Sequence, residues 1–243
     1  MEKTHNTIKI LSIVPALNEE KNIAKVVRQL KEHPLKVDVL VVNDGSVDRT
    51  AEIARETGAI VVDMPFNVGI GGAVQTGFIF ADRKNYNVAL QFDGDGQHNV
   101  DEIEKIIRPI LNNEADVVIG SRYKQNSGYN TPVMRRLGMI IFATVNSLII
   151  RQRIADNTSG FRAYNKKAIR FLSKDYPSDY PEPEAVVLLG RSGFQLMEVP
   201  VSMSQREHGK SSINSLHSVY YMIKVLLAIF IDIFRYEVKR EKM

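Results

Sequence analysis

The feature that most constrains the fold is an alternation of short apolar runs with polar helical stretches over the first half of the chain. Residues 8–43 hold an apolar run, a polar helical stretch and a second apolar run, the pattern of a β-α-β unit. The alternation then continues, with helices expected over 48–58, 71–83 and 100–113 and strands over 59–63, 88–93 and 116–121. We therefore predict an α/β fold, a mostly parallel mixed sheet with helices on both faces and ligands bound where strands end.

After Arg122 the alternation of apolar runs with polar helical stretches ends. Residues 155–165 are expected to form a loop, and 194–203 a further strand. Two apolar stretches, 133–150 and the one within 213–243, each carry a few charges, which favours helices lying in a membrane interface over spanning helices. The competing interpretation is that both helices pack into the core or a homodimer. We expect one domain over 1–212, followed over 213–243 by a membrane-associated helix and basic tail.

Composition excludes several classes of protein. The chain has no cysteine, which rules out a disulfide scaffold, thiolate zinc and iron–sulfur clusters. The net charge of +4 is too small for a nucleic-acid-binding surface, so no nucleic acid partner is expected. The first residues lack the pattern of a signal peptide, and we expect the protein to face the cytosol.

Two carboxylates, Asp93 and Asp95, follow the apolar run that ends at Phe92. Glycines at positions 94 and 96 let the backbone turn sharply there, so both acids can reach one crevice. Oxygen ligands of this kind suit Mg²⁺ or Mn²⁺ bridging to a phosphate. The alternative is an ordinary turn between strand and helix. His98 is either part of this site or a polar residue at a helix entry.

Polar residues also follow the first two strands. Asp44 ends the second strand and can accept a hydrogen bond from a ribose or a base, while Ser46 and Asp48 are expected to cap the next helix. Glu19 and Glu20 are expected to open the first helix, where its dipole favours negative charge. A dinucleotide-binding function for residues 67–74 is disfavoured, because the third glycine of that motif is replaced by Val74.

Several motifs follow one another between residues 10 and 212, namely IVPALNEE, VVNDGSVDRT, NVGIGGAVQTGF, QFDGDGQH, VIGSRY, NTSGFRAYN and REHGKSS. In this order and spacing they resemble the family 2 glycosyltransferases of the GT-A fold. Within that family they are similar to the polyprenyl-phosphate sugar synthases, the group of dolichol-phosphate mannose synthase and the bacterial undecaprenyl-phosphate hexose and N-acetylhexosamine synthases. The resemblance implies inverting, metal-dependent transfer from a nucleotide diphosphate sugar, a UDP-sugar before a GDP-sugar, to a polyprenyl phosphate at the cytosolic membrane face.

The resemblance also implies roles for individual residues. Nucleotide contacts fall on Pro15, Ala16, Asn18, Glu19, Asp44, Gly69 and Asp93. The Mg²⁺ or Mn²⁺ contacts fall on Asp93, Asp95 and Gln97. Acceptor phosphate contacts fall on Arg122, on one of Arg135 and Arg136, and on Ser211, and the catalytic set is Asp95, Arg122 and Arg206. The chain departs from the group at Ser212, where a lysine is usual, with Lys210 two positions earlier.

The acceptor decides whether a general base is needed. A sugar hydroxyl must lose a proton to a base, whereas a lipid phosphate, with a second pKa near ~6, is already an anion. Glu182 and Glu184 stand where hydroxyl-acceptor relatives keep an acidic base, just before an expected helix, and a base role stays open. The alternatives are therefore a transferase that extends a polysaccharide or lipid-linked oligosaccharide, and a non-catalytic nucleotide-sugar-binding membrane subunit. A small membrane-protein partner and a homo-oligomer are both compatible with the sequence.

Overall fold

A computed structural model of the chain describes residues 8–122 and 143–203, together with Lys224. The described residues form a seven-stranded sheet in the order β3-β2-β1-β4-β6-β5-β7. The strands are β1 Ile10–Ala16, β2 Asp38–Asn43, β3 Ile60–Asp63, β4 Val88–Gln91, β5 Val117–Ser121, β6 Arg162–Asn165 and β7 Leu196–Pro200. All pairings are parallel except those of β6, which runs antiparallel to β4 and to β5. The predicted mostly parallel mixed sheet is confirmed.

Helices connect the strands. They are α1 Ile23–Glu32, α2 Thr50–Glu56, α3 Gly69–Arg83, a 3₁₀ turn at Val100–Glu102 leading into α4 Ile103–Leu111, α5 over residues 143–150, α6 Lys166–Leu172 and α7 Pro181–Arg191. The elements predicted over residues 8–121 are all present, with ends that differ by a few residues.

A hydrophobic core lies on each face of the sheet, because alternate side chains of a strand point to opposite sides. Leu11 and Ile13 of β1 pack in one core with residues of α3, α6 and α7. Ile10 and Val14 of the same strand pack in the other core with residues of α1, α2 and α4. Helices therefore cover both faces, as the alternation in the sequence predicts.

The strand order reverses direction at β1, which pairs with β2 on one side and with β4 on the other. In sheets of this kind a crevice opens beyond the carboxyl ends of the strands at the point where the order reverses, and ligands bind there. Polar residues that follow β1, β2 and β4 therefore meet at one place.

Two expectations need correction, one in each half of the chain. The segment expected to be a loop over 155–165 contains β6, and the residues after it form α6. Glu19 and Glu20 also precede the first helix and do not lie in it, since α1 begins at Ile23 and has no acid in its first turn.

Within residues 8–122 and 143–203, no helix is both long enough and apolar enough to cross a membrane. The expected interface helix over 133–150 is described only from residue 143 onward. The expected C-terminal helix within 213–243 lies outside the described residues apart from Lys224.

Candidate active site

The loops after β1 and β2 are joined by hydrogen bonds. The Asn18 amide donates to the Ser46 hydroxyl at 2.9 Å, and the Val47 amide donates to the Asn18 side-chain oxygen at 2.9 Å. The Glu19 amide donates to the Thr50 hydroxyl at 2.8 Å. Ser46 therefore joins two loops, and the prediction that it caps α2 is wrong. These bonds fix the rim of the crevice on which the nucleotide-contacting residues were expected.

Asp44 is buried at the end of β2, and its carboxylate accepts from the amides of Val68 at 2.8 Å and Gly69 at 3.0 Å. These amides lie at the start of α3, where unpaired N–H groups favour an anion. Gly69 has a φ of +83°, a conformation that side chains rarely adopt. Asp44 thus holds the loop after β3 against the end of β2, at the position expected to contact a ribose or a base.

The turn after β4 packs closely against the end of β1. A Cβ atom on Gly94 would lie 3.2 Å from the Pro15 carbonyl oxygen and 3.5 Å from the Ala16 Cβ atom. The absence of a side chain at position 94 therefore brings the backbone of this turn, residues 93–98, beside Pro15 and Ala16. We call these residues the acidic turn. Two sets of predicted site residues meet here.

The acidic turn itself places Asp93, Asp95 and Gln97 at partly exposed positions. The Asp95 carboxylate accepts from the Gln97 amide at 3.0 Å. A Cβ atom on Gly160 would lie 3.1 Å from both carboxylate oxygens of Asp93, so that glycine leaves the space that the carboxylate occupies.

No group of three His, Cys, Asp or Glu side chains that could hold a metal ion occurs in the part of the chain that the structure describes. A cation at this turn would therefore need other oxygens, such as the side-chain amide oxygen of Gln97 and the phosphates of a ligand. Mg²⁺ is commonly bound in this way, by one or two carboxylates and substrate phosphates. The residues present fit such an ion.

His98 closes the acidic turn and is buried, with 5% of its surface exposed. Its ring stacks on Phe161 at 4.8 Å between centroids and meets the edge of Phe92 at 5.1 Å. Burial lowers the pKa of the imidazole to about 4, although the Asp95 carboxylate opposes that shift. Of the two interpretations, the structure favours membership of the site, since His98 contacts Asp93.

Arg122 follows β5 and forms a bidentate ion pair with Asp156, with N···O distances of 2.8 and 2.7 Å. Asp156 is fully buried, and it also accepts from the Arg122 amide at 3.0 Å. The Arg122 guanidinium further donates to the Thr158 hydroxyl at 2.7 Å. The arginine expected to bind a phosphate is thus held in a fixed position at the 156–160 loop, while 30% of its side chain stays exposed.

Arg162 lies on the central strand β6 and is fully buried. Its guanidinium donates to the carbonyl oxygens of Ser159 at 2.7 Å, Asn157 at 2.9 Å and Glu182 at 2.9 Å. A buried arginine is tolerated when its donors are satisfied in this way. It joins the 156–160 loop to the start of α7.

The sequence reasoning missed the parts played by Asp156, Gly160 and Arg162. All three lie in or beside the NTSGFRAYN motif. The available signal was a run of polar residues and one glycine placed between two apolar segments.

Glu182 and Glu184 occupy the first turn of α7, so the expectation that they precede the helix is wrong. Glu182 is partly exposed, and burial raises the pKa of its carboxyl, an effect that the Arg162 guanidinium opposes and Asp93 reinforces. Glu184 is buried, with 7% exposed. The charge environment of Glu182 includes Asp93 and Arg122.

The remaining predicted site residues lie outside the described residues. They are Arg135, Arg136, Arg206 and Ser211.

Comparison with known proteins finds a glycosyltransferase family and several transferases to which this chain is similar. The model of the family described as "Glycosyl transferase family 2" matches residues 12–172. A UDP-N-acetylglucosamine–dolichyl-phosphate N-acetylglucosaminyltransferase of Methanococcus voltae is 32% identical over 82% of this chain and 87% of its own. A polyprenol monophosphomannose synthase of Mycolicibacterium smegmatis is 29% identical over 90% of this chain and 86% of its own.

Among solved structures, glucosyl-3-phosphoglycerate synthase from Mycobacterium tuberculosis, crystallised with Mn²⁺, UDP and phosphoglyceric acid, superposes with a TM-score of 0.69. The match covers 93% of this chain and 78% of that chain at 17% identity. At that identity the likeness concerns the fold.

Proposed function

The chain belongs to glycosyl transferase family 2, and from that premise we propose that it moves one sugar from a nucleotide diphosphate sugar to a polyprenyl phosphate. The observation that carries the proposal is the pair of relatives named as dolichyl-phosphate and polyprenol transferases, which align with more than four-fifths of the chain. The rim made by the loops after β1 and β2 would bind the nucleotide, with Asp44 beside its ribose or base and a UDP-sugar favoured as donor.

The acidic turn would hold Mg²⁺ or Mn²⁺ through Asp93, Asp95 and Gln97. The support for this is that Asp93 and Asp95 stand at the carboxyl end of β4 beside the crevice, and that Gly160 leaves room for the Asp93 carboxylate. A bound divalent cation would offset negative charge that develops on the leaving diphosphate.

The acceptor phosphate needs cations and no base, since its oxygen is already ionised at neutral pH. Arg122 is the described residue proposed to contribute positive charge on the acceptor side, at a guanidinium held in place by Asp156. Arg135, Arg136, Arg206 and Ser211 are proposed to complete the phosphate contacts. Because the acceptor is a lipid, we place the protein at the cytosolic face of a membrane, as a peripheral or monotopic protein, with a homo-oligomer or a small membrane partner allowed.

One observation favours a second function, transfer to a sugar hydroxyl. Burial raises the pKa of the Glu182 carboxyl toward the range in which a general base works best, and the negative charge of Asp93 adds to that effect. A hydroxyl acceptor would use that carboxylate to remove its proton.

The test is incubation of the full chain in detergent with undecaprenyl phosphate, Mg²⁺ or Mn²⁺, and a panel of UDP- and GDP-sugars, with the lipid products read by mass spectrometry. We expect a lipid-linked sugar from at least one donor. No such product from any donor would count against the proposal.

Variants at two neighbouring carboxyls distinguish a phosphate acceptor from a hydroxyl acceptor. Glu182→Gln should keep transfer within about tenfold of wild type if the acceptor is a phosphate, and should lose about 10²- to 10⁴-fold if it is a hydroxyl. Glu184→Gln is the matched control, because it removes an acid from the same helical turn at a buried position. Loss confined to the Glu182 variant would favour the hydroxyl acceptor.

A further inference from the structure

His98 has no part in the proposed transfer step, yet the structure holds it tightly at the end of the acidic turn. Its ring lies between Phe92 and Phe161. Its backbone pairs with that of Met203 in an antiparallel bridge. A polar ring placed in an apolar setting needs its two nitrogens satisfied, so the partners of those nitrogens indicate what the residue does.

Both nitrogens face Asp93. The Asp93 amide donates to His98 Nδ1 at 3.1 Å, which leaves Nδ1 without a proton and places the proton of the neutral ring on Nε2. Nε2 lies 3.4 Å from Oδ2 of the Asp93 carboxylate. A ring that accepts a hydrogen bond at Nδ1 carries a single proton and is neutral. One side chain thus contacts the backbone and the carboxylate of the same residue.

These contacts close the turn on itself. Residues 93 and 98 are its ends, and Asp95 and Gln97 lie between them with a bond from the Gln97 amide to the Asp95 carboxylate. Gly160 bounds the Asp93 carboxylate from another side. The glycines within the turn, of which Gly96 has a φ of +76°, otherwise leave its backbone many conformations.

We propose that His98 is a positioning residue, whose neutral imidazole holds the Asp93 carboxylate and the 93–98 turn in the arrangement that binds the divalent cation. The inference rests on the proposed function, because it assumes a cation at the turn. Groups that hydrogen-bond metal-binding carboxylates commonly change metal affinity by about 10- to 100-fold when removed.

The test measures Mn²⁺ binding to the full chain in detergent with UDP present, by calorimetry and by the electron paramagnetic resonance signal of free Mn²⁺. His98→Phe keeps a ring between Phe92 and Phe161 but removes both polar contacts, and should raise the Mn²⁺ Kd by about 10- to 100-fold. His98→Gln, whose amide can accept and donate, should recover part of that loss. Phe161→Leu is the packing control, and should lower the melting temperature while changing the Mn²⁺ Kd by less than about threefold.

A wild-type Mn²⁺ Kd in a folded His98→Phe protein would overturn the inference, and so would an equal loss in Phe161→Leu. If His98→Phe does not fold, NMR of ¹⁵N-histidine-labelled wild type decides, since the proposal requires an unprotonated Nδ1 with and without Mg²⁺–UDP. A protonated Nδ1 would overturn it. A wild type that binds Mn²⁺ and UDP but makes no lipid-linked sugar contradicts the proposed function alone, whereas no Mn²⁺ binding contradicts both.

Discussion

Removing the guanidinium of Arg122 should destabilise the whole domain, because its partner Asp156 is fully buried. Breaking a buried ion pair by deleting one member costs about 3–5 kcal/mol, since the other charge stays buried without its counter-ion. Two hydrogen bonds to Asp156, from the Arg122 amide and the Thr158 hydroxyl, survive the change. With 30% of the Arg122 side chain exposed, we expect the lower end of the range, about 3 kcal/mol, for Arg122→Met.

A double-mutant cycle separates the ion pair from other effects. Asp156→Leu should also destabilise the protein, while the double variant Arg122→Met with Asp156→Leu leaves no buried charge unpaired and should cost less than the sum of the single changes by about 2 kcal/mol. The assay is urea unfolding of the full chain in detergent, followed by far-UV circular dichroism and by tyrosine fluorescence, since the chain has no tryptophan. The shift in midpoint at a constant slope gives the change in unfolding free energy.

Two results would refute this reasoning. One is an Arg122→Met protein whose stability lies within about 0.5 kcal/mol of wild type, the size of an ordinary surface change. The other is strict additivity in the double variant. Transfer activity of the double variant then tests the separate proposal that Arg122 also serves the acceptor phosphate, since that variant lacks the positive charge but leaves no unpaired carboxylate at position 156.

Three further predictions concern the acidic turn. Asp95→Asn should abolish transfer in the lipid-product assay, because a neutral amide holds a divalent cation weakly, whereas the exposed control Asp101→Asn should retain it; equal activity in the two variants would contradict this. Gly160→Ala should raise the calorimetric Mn²⁺ Kd, because the new Cβ lies 3.1 Å from both Asp93 oxygens, and an unchanged Kd would show that the carboxylate can yield without loss. Burial lowers the pKa of His98 from 6.5 to about 4, so the unfolded chain binds a proton between these values that the folded chain does not, and unfolding free energy should fall by about 3 kcal/mol as pH drops through that window. Urea unfolding at pH 7 and pH 4 checks this, and His98→Gln with an undiminished pH dependence would contradict it.

The sequence could predict the first half of the fold because buried parallel strands there are continuous apolar runs separated by amphipathic helices. It could not predict β6, whose sequence RAYN begins with a charged residue. That residue, Arg162, is acceptable in a central strand only because carbonyl groups from the 156–160 loop and from α7 satisfy it. Such partners depend on the tertiary structure and leave no local pattern.

The same limit applies to the site. The acidic turn was predictable, since two carboxylates and two glycines directly follow an apolar strand. Arg122 was expected to bind a phosphate, but its bond to Asp156 joins residues 34 positions apart. Ser46 has the local pattern of a helix cap, yet its hydroxyl oxygen accepts a hydrogen bond from the Asn18 amide of another loop. Local patterns therefore identified the residues of the crevice better than their partners.

The most direct test of the central claim compares two acceptors that differ only in the phosphate. Wild-type protein in vesicles is given Mn²⁺, the nucleotide sugar that the donor panel selects, and either a polyprenyl phosphate or the corresponding free polyprenol. We predict that mass spectrometry will find a sugar joined through phosphate to the first lipid, none on the second, and no product after EDTA. A glycosylated free polyprenol, or undiminished transfer in EDTA, would contradict the account.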